Sequence, residues 1–276
     1  MFDRRLIVVL AAALALPAAA AAQDWRTLSA SRAVDGDTLL RVEVEYAAGR
    51  FEVKPGDPGT LYRTSMRYDD DLFDPVAAFD SGLLKLGVGG GNIRGRDVKS
   101  GHLRAAFSPD VPLELDLAFG AVDAELELGG LRILEAHIAT GASRTLLNVS
   151  EPNPETAERL VVEVGAAQFE AIGLGNLHAR RIEVSGGVGD VTLDFRGAPR
   201  LDTSVSVRMG LGALTLRVPR GLGVRVVKDG FLAGFDSEGL VKRGDAFYST
   251  DWESAAHKLT VDIDAAFGSI KVVWID

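Results

Sequence analysis

Four histidines, His102, His137, His178 and His257, are the side chains best suited to acid–base work or to holding a transition metal. No two share a short spacing, and neither an HExxH nor an HxH pair occurs, so each reads as a solvated strand residue. The serine-hydrolase signatures GxSxG and Ser-x-x-Lys are absent. With no cysteine there is no thiolate nucleophile, disulfide, Cys-ligated zinc or lipoprotein anchor. Gly89-Gly90-Gly91-Asn92 and Gly173-Leu174-Gly175 suggest phosphate loops, yet both lie within or between alternating strands with no helix to follow. Asp69-Asp70-Asp71, with Asp74 nearby, offers carboxylate oxygens to Ca²⁺ but lacks the spacing of calcium loops, which favours a solvated acidic turn. The aromatics Phe231, Phe235, Phe247, Tyr248 and Trp252 could line a glycan or peptide groove, or plug an interrupted stack. The plug is the favoured reading, and Phe231, Phe235, Tyr248 and Trp252 are the candidate partner or ligand surface. No catalytic residue, metal ligand set or cofactor is expected.

The elements that must position these residues repeat. Windows of the form apolar-x-apolar-x-x-small-x-small-x-apolar-x-apolar occur eight times, most clearly in Ile182–Phe195, Leu115–Leu128 and Val205–Val218. Weaker copies begin at Ala136, Leu160, Val42, Leu84 and Val261. The key small residue falls at 47, 89, 120, 141, 165, 187, 210 and 266, so between 120 and 210 the steps are 21, 24, 22 and 23 residues. A fixed period of this size means stacked units. Strict alternation within each window gives half-buried strands, and the small residues mark a sharp corner between two of them. Stacked strand-corner-strand units form an all-β, single-chain parallel β-solenoid of about eight rungs. Leu117, Ile138, Val162, Val184 and Val207 should form one inward column, and Leu126, Leu147, Ala171, Leu193 and Leu216 another. The long steps near both ends mark interruptions. Glu151–Leu160, with Pro152 and Pro154 ahead of it, reads as one or two helical turns.

The chain of 276 residues is 47% hydrophobic with 31 glycines, so it is neither disordered nor a flexible linker, and the glycines imply many tight corners. Its net charge of -9 has the wrong sign for binding phosphate backbones, and nucleic acid is not an expected partner. Residues 1–22 read as a secretory signal peptide: Arg4-Arg5, an apolar run from Leu6 to Leu16, then Ala20-Ala21-Ala22 before Gln23. No second apolar run of spanning length follows, so no membrane span is expected after cleavage. The expected location is periplasmic or secreted. The organisation is then a leader at 1–22, an N-terminal segment at 23–83, and the solenoid at 84–276, continuous with that segment.

Leu115–Leu128, Gly173–Leu177 leading into Arg181–Phe195, and Lys242-Arg243-Gly244-Asp245 followed by Tyr248 and Leu259–Val272 resemble the bacterial toast-rack family. That family includes the C-terminal domain of LiaF-type proteins of the cell-wall-antibiotic response. Val42–Arg67, with Ala47-Ala48-Gly49 and Leu61-Tyr62, resembles the family's separate N-terminal segment. The resemblance spans roughly residues 40–274 and implies an envelope β-solenoid, with no catalytic residues to carry over. The functional expectation is a non-catalytic envelope interaction or structural module whose partner is an envelope protein or glycan. Two alternatives are an accessory of the cell-envelope stress response, as LiaF-type proteins are, and a polysaccharide-active β-helix enzyme. Against the enzyme, the outward columns Asp116, His137, Val161, Glu183, Ser206 and Glu125, Leu146, Glu170, Thr192, Thr215 concentrate no catalytic set. The terminal strand ends at Trp274-Ile275-Asp276, and self-association through an exposed C-terminal edge is a further expectation.

Overall fold

The computed structural model describes residues 25–89, 101–230 and 232–276, with the backbone alone at Leu232. The leader expected at 1–22, the candidate Phe231 and most of the Gly89–Asn92 run lie outside the described residues. The first strands are β1 (Trp25–Ala33), β2 (Leu40–Pro55), β3 (Thr60–Asp69), β4 (Asp74–Asp80), β5 (Leu83–Gly89) and β6 (Gly101–Phe107). Then come β7 (Leu113–Glu127), β8 (Ile133–Thr140), β9 (Arg144–Asn148), β10 (Ala157–Ile172), one helical turn α1 (Leu174–Leu177), β11 (Ala179–Asp194) and β12 (Thr203–Pro219). The last are β13 (Gly223–Asp229), β14 (Leu232–Asp236), β15 (Leu240–Arg243), β16 (Ala246–Ser249) and β17 (Lys258–Ile275).

Each long strand is two arms of one coil. In β11, Ile182 and Val184 are buried before the corner and Val191 and Leu193 after it. Those positions change from even to odd, so Gly186–Gly189 must shift the alternation by one residue for both arms to face one core. Stacked coils therefore make two parallel sheets that share a single buried cluster, joined at the corner on one side and by inter-coil turns on the other. The expected columns are in register: Leu117 opposite Ile138, Ile138 opposite Val162, Val162 opposite Val184, and Val184 opposite Val207. Leu126, Leu147, Ala171, Leu193 and Leu216 align in the same way on the second arm. Parallel coils covered on both sides by their neighbours need no disulfide to exclude water from this core.

The order of coils departs from chain order at both ends. β2 lies between the coil made of β5 and β6 and the coil β7. β17 lies between β12 and a coil made of β13 and β14. Among the described residues the stack thus runs β5/β6, β2, β7, β8/β9, β10, β11, β12, β17, β13/β14, one coil more than the repeat windows mark. The ends are finished by antiparallel strands: β4 on β5, β3 and then β1 on β6, and β16 and then β15 on β13. The C-terminal strand is consequently not an edge. β17 pairs along its whole length with β12, β13 and β14 cover most of its other side, and Trp274 Nε1 donates to the Glu238 carbonyl at 2.8 Å. The edge expected from the sequence for self-association is therefore covered.

Residues 151–160 are not helical. Pro152 and Pro154 hold their preceding residues extended, and Ala157 begins β10, whose Leu160, Val162 and Val164 are buried at strand spacing. Asn153, between the prolines, is fully buried and cross-links three turns: Nδ2 donates to the carbonyls of Ile133 (2.8 Å) and Leu177 (3.0 Å), and Oδ1 accepts from the amides of Ile133 and Glu155, each at 3.1 Å. The helical turn falls instead at Leu174–Leu177, between Gly173 and His178, both in the left-handed conformation. It starts between the two glycines of the Gly173-x-Gly175 pair and takes in Gly175, a pair which the sequence places ahead of no helix. A side chain at Gly173 would strike the Val149 carbonyl, and one at Gly175 would come within 2.8 Å of the Phe195 carbonyl. Packing against adjacent coils thus accounts for this glycine pair.

Candidate functional site

The corner is where the fold is most constrained and most open. A Cβ at Gly141 would lie 3.0 Å from the Gly120 carbonyl oxygen, at Gly165 2.9 Å from that of Gly141, and at Gly210 2.7 Å from that of Gly187. Only the smallest residues let the coils approach at this spacing. Absence of side chains along the column opens a groove of about 1000 Å³ that runs from Ala47 on β2 to Ala266 on β17. Its apolar wall includes Phe119, Val164 and Met209, and Glu163, Arg208 and Asp264 also line it.

The residue after each corner position completes the surface. In the sequence it is glycine at 90 and alanine at 48, 121, 142 and 166, then Val188, Leu211 and Phe267, so it grows toward the C-terminal end of the stack. Val188 stands opposite Leu211, and Leu211 opposite Phe267, on three successive coils. They are 52%, 50% and 49% exposed. Val188 and Leu211 also line a second opening of about 760 Å³, with Ala166 and Gln168. Three large apolar side chains half exposed side by side form a ridge of the kind that marks an interaction site. Sequence reading did not single it out. The signal lay in the residue between the two small positions of each window.

The aromatic candidates separate into two pairs at the C-terminal end. Phe235 packs on the core cluster and meets Phe247 edge to face, with ring centres 4.8 Å apart, closing the last coil. Tyr248 follows Phe247 on β16, meets Trp252 edge to face at 5.5 Å, and accepts from Arg225 Nε at 3.3 Å. Arg243 stands 5.5 Å from the Tyr248 ring centre and Lys258 5.4 Å from that of Trp252, both within cation–π range.

The histidines do not converge. His137 lies on the open face, 3.0 Å from Asp116 and 3.6 Å from Glu163. His257 is part-exposed. His178, expected to be solvated, is buried: Nδ1 lies 2.7 Å from the Asn153 carbonyl and Nε2 3.0 Å from that of Ala198, so the ring bridges turns of neighbouring coils. Asp69 is likewise buried, accepting the Asp71 amide at 3.1 Å, while Asp70 pairs with Arg26 at 3.0 Å. That arrangement ties a turn with the first and third members of the acidic run. Among the described residues no group of three or more His, Asp or Glu side chains is arranged to hold a metal ion, and no helix is long and apolar enough to cross a membrane.

The family model for the N-terminal domain of toast_rack, DUF2154, matches residues 23–161. No curated protein matches the chain. Three solved structures resemble it over most of both chains. A candidate cell adhesion protein from Clostridium sporogenes is 13% identical, with 91% of this chain and 100% of that one covered at a TM-score of 0.44. A candidate adhesin from Bacteroides fragilis is 14% identical, with 90% and 97% covered at 0.41. A candidate lipid-binding protein from Parabacteroides distasonis is 12% identical, with 91% and 98% covered at 0.44.

Proposed function

The chain belongs to the toast-rack family, and on that premise we propose that it is a non-catalytic interaction module of the bacterial envelope, docking an envelope protein along its corner. The observation that carries this reading is the ridge Val188–Leu211–Phe267, held in register on three coils beside an open groove. Burying such a ridge against a partner removes apolar surface from water at about 25 cal/mol per Å². Branched aliphatic side chains suit an apolar protein surface better than a sugar, which favours a protein partner over a glycan. The rack holds the ridge at little entropic cost, since the side chains sit on paired strands and not on loops. The envelope location is supported by the leader-like residues Arg4-Arg5, Leu6–Leu16 and Ala20-Ala21-Ala22.

The reading is tested by native gel separation of detergent-solubilised envelopes from cells producing the chain or its Leu211→Asp variant. The unaltered chain should migrate in a complex and the variant as the free protein, with equal amounts of each folded. Co-migration of both in the same complex would rule the ridge out as the docking surface.

A further inference from the structure

At the N-terminal end of the stack the outer face of the second arm gathers positive charge. Across β3, β6 and β2, Arg67 stands opposite His102 and His102 opposite Arg50. Arg104 lies two residues from His102 on β6, hence on the same face. These four residues line one opening of about 490 Å³. Elsewhere Arg41 pairs with Glu114, Lys85 with Glu43, and Arg217 with Glu170, each at 2.7 Å, whereas among the described residues Arg50 and Arg67 form no ion pair.

The acids near the opening neutralise it only in part. Glu52 on β2 is engaged by Arg104 at 3.1 Å and lies 3.7 Å from His102 Nε2. Asp123 on β7 is opposite Arg50 in register and lines the same opening, yet among the described residues it forms no ion pair with it. Among the described residues the Nε2 atom of His102 is buried with no hydrogen-bond partner, an arrangement that costs free energy. Arg67 stacks over the Trp25 ring at 4.5 Å, which fixes the plane of its guanidinium and leaves its N–H edges for a ligand.

We propose that this opening is a binding site for a phosphate group, with Arg50, Arg67 and Arg104 donating to its oxygens beside the His102 ring. Donors from three strands suit a tetrahedral oxyanion with several oxygens better than a single carboxylate, and the volume suits a phosphate carried on a small headgroup. In the protein alone, burial and then the Arg104 charge hold the His102 pKa below its ordinary value of 6.5, Glu52 opposing and Arg50 adding to the effect. A bound anion opposes that effect, so binding raises the His102 pKa. The site is separate from the corner ridge and does not depend on what the ridge docks.

The test follows the ring resonances of His102 by NMR while the protein is titrated with inorganic phosphate. The His102 signals should shift saturably and its titration midpoint should rise, while those of His137, His178 and His257 stay in place. Arg50→Ala and Arg67→Ala are exposed substitutions that leave the core intact, and each should weaken binding about tenfold or more. A second arm adds vesicles of phosphatidylglycerol, with phosphatidylcholine vesicles as control. Association with the anionic vesicles that phosphate competes away identifies a lipid headgroup as the source, and phosphate binding without vesicle association identifies free phosphate. No saturable shift of His102, or a shift unchanged in both arginine variants, would overturn the proposal.

Discussion

Leu146 and Leu147 are neighbours in the chain and lie on opposite sides of the second-arm sheet: Leu147 is fully buried, in line with Leu126 and Ala171, while Leu146 is 37% exposed. The two therefore report the register of the whole stack. Leu147→Ala should destabilise the protein by about 3 kcal/mol through lost burial and the cavity left behind. Leu146→Ala should change stability by less than about 0.5 kcal/mol. Urea unfolding of the two variants side by side checks both, and similar losses would mean that the sheet is out of register.

A side chain on Gly212 would strike the carbonyl oxygen of Gly189 on the preceding coil, and one on Gly268 would strike that of Gly212. All three glycines have a positive φ, of 154°, 148° and 131° at 189, 212 and 268, a region closed to other residues without strain. Gly212→Ala should accordingly cost about 3 kcal/mol or more, as backbone strain and coil separation add. The same change at Gly221, a surface turn with nothing within 4 Å of the added methyl, meets only the strain of its φ of 88°. Thermal melts of the two variants should rank them in that order.

The coils and their inward columns were legible because alternation and a near-constant period specify which residues stack. Coil order was not, because any coil with the same alternation can neighbour any other. Spacing marks the interruptions after 47 and 210 but says nothing of β2 and β17 each slipping between two coils. The additional coil was hidden for a related reason. Val224 and Val226 alternate as a strand should, yet the window asks for a small residue where the sequence has Phe231. Val188, Leu211 and Phe267 are single apolar residues after a corner, unremarkable one at a time, and only the register brings them together. The basic opening escaped notice because Arg50, Arg67 and His102 come from three segments of a chain whose net charge is -9.

Asn153 joins turns of separate coils through four hydrogen bonds in a fully buried site. Asn153→Ala strands two amides and two carbonyls and should lower stability by about 3 kcal/mol. Asn153→Asp keeps the two acceptors and loses both donors, so chemical denaturation should place it below the parent as well. A neutral effect of the alanine variant would mean that these turns find other partners.

Burial of Tyr46 pushes its phenol from 10.0 up to about 12. The folded protein then holds this proton over a range where the unfolded chain has released it, so the group leaves stability unchanged below pH 10 and lowers it as the pH rises from 10 toward 12. Tyr46→Phe should flatten the alkaline limb of a plot of melting temperature against pH and remove the latest step of the phenolate absorbance titration. An unchanged alkaline limb would show that Tyr46 ionises early.

The most direct measurement places a photo-crosslinking amino acid at Leu211, on the ridge, and in a second sample at Glu158, which is exposed at the far end of its arm from the corner. Irradiation in intact cells, followed by isolation of the envelope and mass spectrometry, reads what each position touches. A binding module working through its corner predicts one dominant protein adduct at 211, lost when Val188 is changed to Asp, and none at 158. The same adducts at both positions, or none at 211 while the protein is folded in the envelope, would contradict the account.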